Sequence, residues 1–159
     1  MRAFGLGAAA LALAAGPVLA AAPMAPVPGV FSFAQARYLE SCGGCHGLQG
    51  RSWDPDVPRL ESVVGQFLCS AAARDYVVRL PNVAFARQDD AALTELLNFV
   101  MFTLGGDSVP AGARPYTVDE VAALRRQPLK NRDVLRLRGE VLGAVAADCG
   151  GVAAALARQ

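Results

Sequence analysis

Two cysteines and a histidine stand in the run Cys42-Gly43-Gly44-Cys45-His46, the C-x-x-C-H pattern of covalent c-type haem attachment. Two thiols at this spacing can add to the two vinyl groups on one edge of a haem. The histidine beside the second thiol can then reach the iron. Cys42 and His46 are four apart, so on a helical turn they share one face. Gly43 and Gly44 keep side chains away from the porphyrin edge. Other chemistries lack their parts. A structural zinc site wants a second ligand pair, but His46 is the only histidine and no second C-x-x-C follows. A thioredoxin-like pair opens a helix after a strand, and nothing upstream reads as a strand. A Cys42–Cys45 disulfide would close an unusually small ring. The plain alternative is a helical domain in which the motif is accidental.

The segment before the motif says where this chemistry would take place. Residues 1–20 read as a secretory signal, with Arg2 as the positive start, an apolar run from Ala3 to Ala15, a break at Gly16-Pro17 and small residues up to Ala20. The run is too short to span a bilayer. The competing reading is an uncleaved anchor, against which Pro17 argues. Export implies a periplasmic location, where haem is attached to such motifs. No later apolar run is long enough for a membrane span. Fifteen Lys and Arg against fourteen Asp and Glu leave no strong charge and no sign of nucleic-acid binding. Cys69 and Cys149 are the other two cysteines. An oxidising compartment favours pairing them; the alternative is two buried free thiols.

Helices must position the motif. Residues 21–30 hold three prolines and read as a flexible leader. Phe31 to Glu40 reads as a helix running into the motif, with Ser32 as N-cap. Leu60 to Leu68 has helical character, Ala71 to Leu80 continues it, and Pro81-Asn82 breaks it. From Asp89 to Leu104 one apolar stripe of Leu93, Leu96, Leu97, Val100, Met101 and Leu104 predicts a long helix, stopped by Gly105-Gly106. Thr117-Val118-Asp119-Glu120 is a capping box and starts a helix to about Arg126. Asn131 to Ala147 reads as another. The basic residues from Arg125 to Arg138, opposed only by Asp133, are either a solvated face or a docking patch for an acidic partner.

Tyr38 four residues before Cys42, the C-x-x-C-H run with Gly47, then Gly50 and Pro58-Arg59-Leu60, resemble the first half of small monohaem class I cytochromes c. The resemblance covers about Phe31 to Leu104. It implies an all-α fold: a cytochrome c-like domain over residues 31–106 around one covalent haem c, with residues 107–159 as a helical extension packed on it. It implies Cys42 and Cys45 as the haem anchors and His46 as the proximal iron ligand. Pro58, with Pro55 as rival, would accept a hydrogen bond from the free imidazole nitrogen. Trp53 would either touch a propionate or simply pack. Phe99 or Phe102 would meet the Tyr38 ring where the closing helix crosses the first.

One departure from that family stands out. The stretch Leu80 to Arg87, where the family places its methionine ligand, has none. Met101 is the candidate distal ligand, with core packing as its competing reading; Met24, water, an open site or an unusual ligand are the others. The resemblance implies an electron-transfer protein rather than an enzyme, taking single electrons from a periplasmic dehydrogenase and passing them to an oxidase or another cytochrome. The alternative is a haem-based small-ligand binder or sensor, or the haem subunit of a partner enzyme with an open distal site. A peroxidase would want a distal histidine as general base.

Overall fold

The computed structural model describes residues 31–149; the expected signal, the leader and Met24 lie outside them. The described residues are all-α, with no strand among them. Helix α1 (Phe33–Ser41) is started by Ser32, whose hydroxyl accepts from the Gln35 amide at 3.1 Å. At Cys42 the backbone departs from helical geometry, and α2 (Gly43–His46) restarts one residue later. The haem motif thus straddles a joint between two helices rather than riding on one. Tyr38, fully buried, donates to the Gly47 carbonyl at 2.6 Å and folds the joint back onto α1. Gly47 has φ +75°, and a Cβ there would fall 2.3 Å from the Arg51 carbonyl oxygen. Only glycine fits that turn.

A 3-10 turn (Val64–Leu68), α3 (Ala71–Arg79) and the short α4 (Pro81–Ala84) follow. The expected helix over Leu60–Leu68 is therefore shorter and tighter. The closing helix also differs from its expected form. Asp89 caps α5 (Asp90–Asn98), accepting from the Ala92 amide at 2.8 Å, but the chain then widens into a π-helical turn over Phe99–Leu104. The Gly105 amide reaches the Val100 carbonyl, five residues back, at 3.1 Å. An apolar stripe looks much the same in either register over one turn, so periodicity does not signal the change. A backbone contact accompanies it: a Cβ on Gly105 would stand 2.9 Å from the Cα of Gly65. Where the closing helix meets α1, the Tyr38 and Phe99 rings lie 5.8 Å apart, so Phe99 is the partner ring.

The chain from Val109 onward covers this framework and shares its core. Val121, Leu129, Val141 and Val145 belong to the same buried cluster as Tyr38 and Leu93. Asn98 holds the crossing segment through both its amide atoms, to Tyr116 N at 2.8 Å and Tyr116 O at 3.1 Å. Helix α6 (Val118–Arg125) carries the full capping box from Thr117 and Glu120. Glu120 also pairs with Arg74, whose guanidinium further donates to the Arg114 and Pro115 carbonyls and lies 3.9 Å from the Tyr116 ring centre. Helix α7 (Val134–Cys149) packs along α3. A Cys69–Cys149 disulfide, with Cα atoms 6.1 Å apart, fixes its far end.

The basic residues of 125–138 do not form one patch. Arg125 turns inward to the carbonyls of Ala84, Ala86 and Gln88 and to Asp90. Arg136 pairs with Glu140 and Asp133. Arg138 lies on the wall of a cavity.

Candidate haem site

The cavity opens beside the motif. Its walls take Ser41, Cys42 and His46 from the α1–α2 joint and Pro58, Arg59 and Leu60 from the following loop. The 3-10 turn and α3 add Phe67, Tyr76 and Val77, and the closing helix adds Leu93, Leu97 and Val100. The wall is mostly aliphatic and aromatic, as a flat apolar macrocycle requires.

His46 is placed by one hydrogen bond. Its Nδ1 lies 2.9 Å from the Pro58 carbonyl oxygen. A carbonyl can only accept, so Nδ1 carries the proton and donates, leaving Nε2 with its lone pair for a metal. Pro58, not Pro55, is the partner. The loop that carries Pro58 is held in turn. The Glu61 carboxylate receives both Arg51 and Arg59, and these contacts hold its pKa down at about 2. The amides of Leu60 and Glu61 both donate to the Gly50 carbonyl.

The two motif thiols have different settings. Cys42 is half-buried in the cavity wall, whereas Cys45 is exposed. Burial, and then the neighbouring Cys45, pushes the Cys42 thiol above its ordinary pKa. One thiol inside and one at the surface suit a cofactor edge that meets solvent. The residues fit a covalently held haem: two thiols, an oriented imidazole and an apolar cleft lie together.

Other expected contributors lie elsewhere. Met101 is fully buried in the core and does not line the cavity; its neighbour Val100 does. That placement matches the packing alternative. Trp53 is 97% exposed and neither packs nor reaches the cavity wall. It stands instead at a surface hollow with Leu48, Gln49, Arg51 and Ser52.

Tyr76 and Arg138 also line the cavity, a place the sequence did not give them; Arg138 read only as part of the basic run 125–138. Tyr76 is 5% exposed, and its hydroxyl donates to the Val134 carbonyl at 3.4 Å. Burial raises its pKa, and the Arg138 guanidinium beside it acts in the opposite sense. A signal for Arg138 was present. Val134, Arg138, Val141 and Val145 recur at spacings of four, three and four, a core stripe with one arginine in it.

No family model matches the chain, and no solved structure does. Two curated relatives match it. Both are cytochromes c-552 of Thermus thermophilus, and each is 24% identical over 121 residues. The match covers 65% of this chain and 92% and 82% of the two relatives. The chain is thus similar, at low identity, to c-type cytochromes, and that similarity suggests an electron-transfer protein holding covalent haem.

Proposed function

We propose that this chain is a periplasmic monohaem c-type cytochrome, exported through a cleaved signal at residues 1–20. It carries single electrons from a dehydrogenase to an oxidase or another cytochrome. The observation that carries this reading is His46 held by the Pro58 carbonyl beside Cys42 in the wall of an apolar cavity. Cys42 and Cys45 would anchor the haem, and His46 Nε2 would take the proximal side of its iron. Bound haem supplies a one-electron ferric/ferrous couple. The chain does the rest. Pro58 fixes the imidazole tautomer and ring orientation. The walls from α3 and the closing helix exclude water, and the α1–α2 joint leaves the Cys45 edge at the surface for contact with partners.

Expression with the haem-attachment machinery, followed by intact mass and an alkaline pyridine spectrum, tests this. One haem per chain on two thioethers, with a reversible one-electron couple, is expected. A colourless protein of unmodified mass would overturn it. A small-ligand binder or haem subunit is favoured instead by one observation: among the described residues no methionine lines the cavity. Prompt carbon monoxide binding by the reduced protein would move the reading there.

A further inference from the structure

Arg138 is out of place for a surface arginine. It sits on the stripe that α7 turns to the core, and it lines a cavity whose other walls are mostly aliphatic and aromatic. Among the described residues no carboxylate pairs with it, although Arg37, Arg51, Arg59, Arg74, Arg125 and Arg136 all have acidic partners. Tyr76 lines the same cavity, and its hydroxyl donates to the Val134 carbonyl, one helical turn before Arg138, over a long 3.4 Å. Ser41 and Asn82 are further polar side chains of the wall, and its other guanidinium, Arg59, is already paired with Glu61. A guanidinium kept in apolar surroundings wants an anion, and its planar fork suits a carboxylate-shaped one. The packing of α7 on α3 and the disulfide at Cys149 fix the backbone that carries this half-buried side chain.

We propose that Arg138, with Tyr76, forms an anion-binding site inside the haem cavity, specific for a carboxylate-shaped oxyanion. The proposal rests on the haem reading above. Two sources share this chemistry: a propionate of the haem itself, or a small oxyanion such as nitrite entering on the side of α7. In either case Arg138 is a positioning residue supplied by the C-terminal extension.

The test uses the full-length holoprotein and its Arg138→Gln, Arg138→Lys and Tyr76→Phe variants. Haem content and thermal melting are measured first, and variants that attach haem and melt cooperatively are carried forward. Nitrite is titrated optically into the ferric protein, and carbon monoxide into the ferrous protein as a neutral control. The potential is followed against pH. If the anion is exogenous, Arg138→Gln weakens nitrite about ten-fold or more and leaves carbon monoxide within about two-fold, as loss of a charge-assisted bond predicts. Tyr76→Phe then loses less, and Arg138→Lys recovers part of the affinity. If the anion is a propionate, nitrite is unaffected. Instead the potential falls in Arg138→Gln, and the pH at which it begins to vary moves upward, because the carboxyl has lost its cation. Haem-loaded Arg138→Gln with unchanged nitrite affinity and an unchanged potential–pH curve overturns the site while leaving the cytochrome reading intact. A wild-type chain that attaches no haem overturns both.

Discussion

The two sides of the cavity are held together in different ways. On the motif side the ties are short in sequence. Tyr38 reaches Gly47, nine residues on, and His46 reaches Pro58, twelve on; Arg51 and Glu61 are ten apart. On the α3–α7 side they are long. Tyr116 bonds to Arg74 across 42 residues, Glu120 to Arg74 across 46, and Tyr76 to Val134 across 58; Cys69 joins Cys149 across 80. Loop closure costs more as the separation grows. The motif is therefore a locally specified unit, and the segment from Val109 onward is a cover that depends on a few tertiary ties. Opening of the native protein should begin at the cover.

The largest effect belongs to the motif side. Replacing Cys42 and Cys45 together by alanine should abolish covalent haem, read as complete loss of the haem increment in intact mass. The counterpart on the cover is Cys69→Ser with Cys149→Ser. Haem should still attach, because neither cysteine belongs to the motif. Stability should fall by roughly 4 kcal/mol in the chain-entropy model for a loop of this size, read by guanidinium unfolding. Equal unfolding midpoints with and without the disulfide would erase the contrast between the two sides.

Next in size is the Arg74–Glu120 pair. Arg74 is 8% exposed, so Arg74→Met strands Glu120 and the Arg114 and Pro115 carbonyls, at a cost of about 3 kcal/mol. Hydrogen exchange should rise across 116–125 and stay low at 38–47. The pair also carries a pH dependence. The side-chain bond from Arg74 lowers the Glu120 pKa below its ordinary value of 4.5. A carboxylate depressed on folding contributes its stability above the unfolded pKa and loses it as pH falls through the folded value. Wild-type stability should therefore drop below about pH 4.5 more steeply than that of Glu120→Gln. Parallel curves would remove the pair from the acid response.

The same contrast governs what the sequence reveals. The Pro58 bond to His46 was legible because one short stretch contains the motif and the residue that orients its imidazole. Caps at Ser32 and Thr117 were legible for the same reason. The π-helical turn at Phe99–Leu104 was not, since it accompanies a contact between Gly65 and Gly105, forty residues apart. Arg125 looked like part of a basic face because nothing local announces the three carbonyls it caps. Arg138 stood in plain view as a break in an apolar stripe, but its meaning depends on Tyr76 and on which helix α7 packs against. Met101 fitted both a ligand and a core residue in the sequence, because one apolar stripe serves either role; the structure buries it and puts its neighbour Val100 in the wall.

The smallest effect probes whether the cover's ties act singly or together. Thr117→Ala removes one cap, which by itself costs about 1 kcal/mol, much as Ser32→Ala should on α1. The two caps differ in what they are joined to. The N-cap of α1 stands alone, whereas the Glu120 carboxylate that completes the α6 capping box also holds Arg74. Loss of Thr117 frees the first turn of α6, and Glu120 then meets Arg74 from a less fixed position. The double-mutant cycle of Thr117→Ala with Glu120→Gln should therefore depart from additivity by at least about 0.5 kcal/mol. Ser32→Ala combined with Glu120→Gln should add within error. Additivity in both cycles would mean that the extension is held by independent contacts, each as local in its effect as those around the haem motif.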